Sequence, residues 1–331
     1  MSKQQGPLDL ETLRGSIAVV TGAANHGIGW GICQHAAGVL GMDVAIIDLH
    51  QTLVDAAVEE LASACPDVRV AGFACDVTDL DQLSVCADAV NENLPGARIG
   101  AVFANAGVIF NRTILKSTTE EWMTTLNVNV LGVVNTIKAF VPALQANDEQ
   151  SVVCATASIG GLVRGDGGGA AYQASKHAVV ALSESLSFEL ARKSPQIRVH
   201  VLCPCIVGSA LGQTSRTNAD VRSGILDADE VAPVEVAPFD LAMAPERHAE
   251  QVFDHIAAGR FYMITDNVRP YVDHDFPFDG LGIVKERVEN MMNLTLDNVD
   301  ALGERSGRPP SAILKGPMWQ EMRRREREGD D

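Results

Sequence analysis

The chain has 331 residues, 46% hydrophobic and 21% charged, which is the balance of a soluble globular protein long enough to bury a large core. Forty-three Asp and Glu against 26 Lys and Arg give a formal net charge of −17. That surplus speaks against nucleic acid or an anionic membrane as partner, because both require clustered basic side chains.

No apolar run reaches the roughly 18 residues of a membrane span, and residues 1–14 are polar, with no apolar signal segment. Seven cysteines are an odd count, and Cys75, Cys154 and Cys203 fall inside strand-like runs. They read as buried small hydrophobes in a reducing cytoplasm, neither disulfides nor metal ligands. Asp273-His274-Asp275 looks like a ligand triplet, but alternate side chains of an extended segment point apart, so no metal site is expected.

In chain order, residues 16–20 (SIAVV) read as a buried strand and 28–40 as a helix. Between them lies Thr21-Gly22-Ala23-Ala24-Asn25-His26-Gly27-Ile28-Gly29. Strand, Gly-rich turn and helix set backbone N–H groups and a helix N-terminus against a pyrophosphate, although a plain βα turn has the same pattern. A strand at 44–47 leads to Asp48, about 20 residues past the glycines. A carboxylate there accepts from adenosine ribose hydroxyls and repels a 2′-phosphate, favouring NAD over NADP. A helix-capping Asp is the alternative. Leu49 follows, where a 2′-phosphate would call for a basic residue.

Further strands are expected at 68–76, 99–104, 151–157, 197–203 and 260–265, and helices at 80–90, 118–145, 170–192 and 246–258. Thr118 and Glu121 have capping-box spacing. Strands separated by helix-length runs mean parallel βαβ units. The expected fold is an α/β, doubly wound, seven-stranded parallel Rossmann sheet at 15–265, with extensions at 1–14 and 266–331. Tyr172 and Lys176, four apart on one helix, share a face. A phenol titrates near 10 in isolation, and a neighbouring cation favours its ionised form.

Taken together, the segments Gly22–Gly29, Cys75-Asp76-Val77, Asn105-Ala106-Gly107, 127–132 (NVNVLG), Ala157-Ser158-Ile159, Tyr172–Lys176 and 204–209 (PCIVGS) resemble the short-chain dehydrogenase/reductase family, in its order and over roughly 16–265. Three features depart from the family pattern. Four residues separate Gly22 from Gly27 where three are usual, and Ser158 is one residue further from Tyr172, with the Gly-rich run 164–169 able to absorb the difference. Pro204-Cys205 stands for the usual Pro-Gly.

The resemblance implies hydride transfer between NAD and a small alcohol or ketone. Tyr172 would be the acid/base, Lys176 would lower its pKa and hold the nicotinamide ribose, and Ser158 would polarise the substrate oxygen. Asn129, preferred to the nearby Asn127 for its spacing to Gly132, would hold a water at a helix kink. Gly22, Gly27, Ile28, Gly29, Asp48, Leu49, Asp76, Val77, Asn105, Ala106, Gly107, Pro204, Val207 and Ser209 would line the cofactor site. His26 reads as solvated.

The resemblance also implies a homodimer or homotetramer through the 118–145 and 170–192 helices, with Val179, Val180, Leu182 and Leu186 as surplus apolar surface. Segments 208–244 and 266–302 would cover the substrate, with Phe239, Met243, Phe276, Phe278 and Met291 as an apolar wall. Residues 262–265 and 284–291 resemble members acting on bulky or aromatic alcohols. A sugar epimerase or dehydratase of the extended family would need Gly-x-x-Gly-x-x-Gly, which is missing. A silent NAD-binding scaffold would have no use for the set Asn129, Ser158, Tyr172 and Lys176.

Overall fold

The computed structural model describes residues 7–162, 169–227, 230–232, 234 and 242–265. The expectations placed on the 266–331 extension, on Phe239 and on most of the 164–169 run lie outside these residues. Strands β1 (Ile17–Thr21), β2 (Asp43–Asp48), β3 (Val70–Ala74), β4 (Ile99–Ala104), β5 (Ser151–Thr156), β6 (Ile197–Pro204) and β7 (Tyr262–Thr265) form one sheet. Its order is β3-β2-β1-β4-β5-β6-β7, and every pairing is parallel.

The helices between them are α1 (Ile28–Gly38), α2 (Gln51–Ala64), α3 (Leu80–Asn93), α4 (Thr119–Leu126), α5 (Gly132–Gln145), α6 (Ala170–Lys193), α7 (Leu211–Arg222) and α8 (Pro245–Ala257). This is the expected seven-stranded Rossmann fold.

A parallel sheet covered on both faces needs strands that are apolar throughout, and β1, β4, β5 and β6 are buried along their whole lengths. Alternate residues of β1 enter different cores. Ala18 and Val20 belong to the same core as Phe103 and the α8 residue Phe253, while Ile17 and Val19 belong to that of Leu83 of α3, Phe140 of α5 and Leu190 of α6. The chain leaves β1 towards β2 and β3, then returns to place β4 on the other side of β1. That reversal is the switch point at which doubly wound sheets open a crevice beyond their C-terminal strand ends.

Several elements differ from the sequence reading. Helix α2 was not expected, although Leu53, Val54, Ala57 and Leu61 form a buried stripe at helical spacing. Helix α7 lies in a stretch that reads as irregular because LGQTSRTNADVR has no apolar face. The single helix expected over 118–145 is two helices joined by a π-turn at Asn127–Leu131. The capping box forms as expected, with Glu121 N–H donating to Thr118 Oγ1 at 3.1 Å and Thr118 N–H to Glu121 Oε2 at 2.9 Å.

The whole run Thr119–Gln145 is long and apolar enough, by length and composition, to cross a membrane, contrary to the reading that no such run exists. Much of that apolar character serves the core, where Val133, Phe140, Val141 and Leu144 are buried. At the N-terminus, Leu8 and Leu13 are buried and Leu8 N–H donates to Ala257 O at 2.8 Å, so residues 7–14 pack on the fold.

Candidate active site

The C-terminal ends of β1, β4 and β5 are laced together by short polar side chains. Thr21 Oγ1 accepts from the backbone N–H groups of Asn105 at 3.0 Å and Ala106 at 3.1 Å. The Asn105 amide donates to the carbonyls of Thr21 and Gly22, each at 3.1 Å, and its oxygen accepts from Thr156 Oγ1 at 3.1 Å. These bonds hold the two sides of the switch point at a fixed separation.

Above them the Gly-rich turn passes too close for side chains. Gly22 has φ +66°, and a Cβ there would lie 2.7 Å from Ala106 Cα. A Cβ on Gly29 would lie 2.5 Å from Gly22 O and 2.7 Å from Asn105 Nδ2. Both positions require glycine for steric reasons, and the bare backbone they leave at the start of α1 suits a pyrophosphate.

Asp48 ends β2 half-buried. Its oxygens accept from Ala24 N–H at 2.9 Å and Leu49 N–H at 2.8 Å, which ties the turn to the edge of the cleft. Burial raises its pKa and the two N–H bonds pull it back. The carboxylate keeps lone pairs for a ribose hydroxyl, so turn and carboxylate together fit an adenosine diphosphate moiety.

On the other side of the switch point, Ser158 follows β5 and Tyr172 and Lys176 rise from the first turns of α6. The Tyr172 hydroxyl is hydrogen-bonded to Ser158, whose Oγ also accepts from Gly160 N–H at 3.1 Å. Lys176 is 3% exposed, donates to Thr156 O at 2.7 Å, and stands 5.5 Å from the centre of the Tyr172 ring. Burial pushes the Lys176 ammonium down to about 8. Burial also raises the Tyr172 pKa above its ordinary value, with the Ser158 bond opposing. In the protein alone, the lowering expected from Lys176 is not seen, and only the Ser158 bond opposes desolvation.

Asn129 is fully buried at the π-turn. Its Oδ1 accepts from Val108 N–H at 2.8 Å, while its amide donates to Val108 O at 3.0 Å and to Ser175 Oγ at 2.9 Å. Both amide hydrogens are thus spent on the protein.

One open cleft runs through these features. Gly22, Gly27, Ile28, Asp48, Leu49, Asp76, Val77, Asn105, Ala106, Gly107, Tyr172, Lys176, Pro204 and Ser209 all line it. Gly29 and Asn129 brace the wall from behind. Val207 pairs with Met243 in a short bridge, with Gly208 N–H donating to Met243 O at 2.9 Å. Met243 is 2% exposed and is not among the residues that line this cleft. His26 pairs with Glu60 on α2 at 3.0 Å.

The sequence reading missed one side of this site. Thr214, Thr217 and Asn218 of α7, with Val231, Ala232 and Val234, line the same cleft opposite His50 and Leu53. His50 Nε2 meets Asn218 Oδ1 at 2.8 Å, Thr52 Oγ1 donates to Val231 O at 3.3 Å, and Ile109 N–H donates to Ser215 Oγ at 2.9 Å. Residues 208–227, with Val231, Ala232 and Val234, thus reach across the cleft from the end of β4 to the end of β2, further towards β2 than a cover of the substrate alone requires. No cluster of three or more His, Cys, Asp or Glu suited to a metal ion occurs among the described residues.

The chain belongs to the short-chain dehydrogenase family, whose model matches residues 16–220. It is similar to 1-deoxy-11-beta-hydroxypentalenate dehydrogenase of Streptomyces avermitilis, at 32% identity over 256 residues, covering 77% of this chain and 86% of that one. It is also similar to (-)-trans-carveol dehydrogenase of Rhodococcus erythropolis, at 31% over 221 residues, covering 62% and 76%. Among solved structures, a short-chain dehydrogenase/reductase from Burkholderia phymatum in complex with NAD superposes with a TM-score of 0.66 at 26% identity, covering 91% of this chain and 98% of that one. The protein is accordingly an oxidoreductase that acts on CH–OH groups with a nicotinamide dinucleotide.

Proposed function

We propose that the protein interconverts a bulky secondary alcohol and its ketone, with NAD as cofactor and Tyr172 as the acid/base. The observation that carries this reading is that Tyr172, hydrogen-bonded to Ser158, and Lys176 line the same cleft as Gly22, Gly27 and Asp48. The dinucleotide, when bound, supplies the hydride acceptor or donor. The Tyr172 phenol takes the proton from the alcohol oxygen or returns it to the ketone oxygen. Ser158 donates a hydrogen bond to that oxygen, where negative charge develops. Lys176, charged at neutral pH, favours the ionised phenol and offers hydrogen bonds to the nicotinamide ribose. Asp48 accepts from the adenosine ribose, and its charge beside Leu49 disfavours a 2′-phosphate.

The names of the pentalenate and carveol relatives support a cyclic or otherwise bulky substrate. The free state of all seven cysteines supports a reducing, cytoplasmic setting. Residues 15–265 are read as the catalytic domain and 266–331 as an extension covering substrate or meeting another subunit. The test is a panel of secondary alcohols, from propan-2-ol to terpene and aryl carbinols, followed by cofactor reduction. Turnover should rise with substrate bulk. Activity restricted to the smallest alcohols would contradict the substrate class, and absence of turnover with every alcohol and ketone would contradict the reaction.

A further inference from the structure

His50 departs from a local rule. It is the N-cap of α2, a position that favours a short side chain accepting from the first backbone N–H groups, yet its ring makes no capping bond. The ring instead reaches α7, where Nε2 meets Asn218 Oδ1 at 2.8 Å, and His50 is only 6% exposed. An amide oxygen only accepts, so Nε2 carries the hydrogen and donates. Two residues further on, Thr52 Oγ1 donates to Val231 O at 3.3 Å. The start of α2 is thus bonded twice to one segment, 168 and 179 positions later in the chain. Nothing in the local structure of α2 asks for either bond.

The place of these bonds gives them a use. Asp48, which the functional reading sets against the adenosine ribose, stands two residues before His50. His50, Leu53, Asn218 and Val231 line the cleft together with Asp48. The far end of α7 is held separately. Ser215 is 1% exposed, and its Oγ accepts from Ile109 N–H at 2.9 Å and donates to Leu211 O at 2.6 Å. Asn218 lies about 4.5 Å further along the helix axis. Ser215 therefore ties α7 to the loop after β4, while Asn218 closes the span on the side of Asp48. The hydride transfer uses neither His50 nor Asn218.

We propose that His50 and Asn218 are positioning residues that clasp the adenosine half of the bound dinucleotide, their hydrogen bond having to break before the dinucleotide leaves. The proposal rests on the reading of this cleft as the dinucleotide site. The clasp acts on dissociation, where most differences in affinity arise, and only on ligands that carry adenosine. A bond that merely anchored α7 would affect both halves of the ligand alike. Losing one hydrogen bond of ordinary net strength corresponds to about fivefold in a rate or equilibrium constant.

The test uses the full-length protein, Asn218→Ala and Asn218→Asp. Release of the preferred reduced dinucleotide is followed by its fluorescence during a chase with excess oxidised dinucleotide. Calorimetry gives Kd for ADP-ribose and for nicotinamide mononucleotide. Asn218→Ala should release the dinucleotide about fivefold faster and weaken ADP-ribose by a similar factor, while nicotinamide mononucleotide shifts far less. Asn218→Asp keeps an acceptor for the His50 N–H and should restore slow release. If Asn218→Ala fails to fold, His50→Ala is read by the same measurements. Unchanged release, equal losses for the two half-ligands, or no restoration by Asn218→Asp would overturn the clasp while leaving the cleft as the dinucleotide site. Failure of the unaltered protein to bind either NAD or NADP would remove the reading of the cleft, and the clasp with it.

Discussion

The amide of Asn129 and the hydroxyl of Ser175 are 2.9 Å apart, and Ser175 stands between Tyr172 and Lys176 on α6. One buried side chain therefore couples the π-turn to the helix that presents the acid/base pair. Its other two bonds satisfy the backbone N–H and C=O of Val108. Asn129→Ala would leave both backbone groups without that partner. A buried unsatisfied group costs about 1–3 kcal/mol, so two of them should show in denaturant titration as a loss of about 2–6 kcal/mol, and kcat should fall with the shift of α6. Unchanged stability would mean that the π-turn is held by other contacts.

Asp48 should set the cofactor preference. The unaltered protein should show a kcat/KM for NAD well above that for NADP. Asp48→Ala should narrow the gap, mainly through KM, because the carboxylate contributes to binding and not to the reacting atoms. The variant should also lose some stability, since Ala24 and Leu49 would lose their acceptor. A clear preference of the unaltered protein for NADP would refute the assignment.

Acid should destabilise the fold through His200 and His248. Burial pushes both down to about 4. Among the described residues, His200 Nε2 and both ring nitrogens of His248 have no hydrogen-bond partner. An unfolded histidine titrates near 6.5, so the fold favours the neutral ring. The stabilisation is complete above about pH 6.5 and is lost as pH falls towards 4, at up to about 1.4 kcal/mol per pH unit for each ring. His248→Leu should remove its share, so the drop in Tm between pH 7 and pH 5 should shrink. An identical drop in the variant would show that other groups govern acid lability.

A homodimer or homotetramer is expected, but on different residues from those read in the sequence. Val179 and Val180 are buried in the protein's own core, and Leu182 and Leu186 pack against it. The apolar side chains left exposed on α4–α5 and α6 include Met123, Leu131 and Phe188, each more than half exposed. Light scattering should give a multiple of the chain mass, and Phe188→Glu should lower it. A monomer at micromolar concentration would contradict the expectation.

What could be read from the sequence was whatever is enforced locally. The Gly22–Gly29 turn, the capping box at Thr118 and the buried strands declare themselves because steric exclusion, backbone satisfaction and burial each dictate residue type. Asn129 stood out as a poor helix former in mid-helix, and the structure explains it by bonds to Val108 and Ser175 that no local pattern reveals. Helix α7 was invisible because its polar residues bond outward to His50 and Ile109, whose proximity is created by the sheet order.

The central claim is that Tyr172 transfers the proton. Tyr172→Phe keeps the ring in its packing and removes only the hydroxyl. The decisive measurement is kcat for the best alcohol alongside the Kd for NAD, on the unaltered protein and this variant. The account predicts a fall in kcat of about 10²–10⁴-fold, the usual contribution of an acid/base group, with Kd within a factor of about three. A variant retaining more than about a tenth of kcat would show that another group moves the proton.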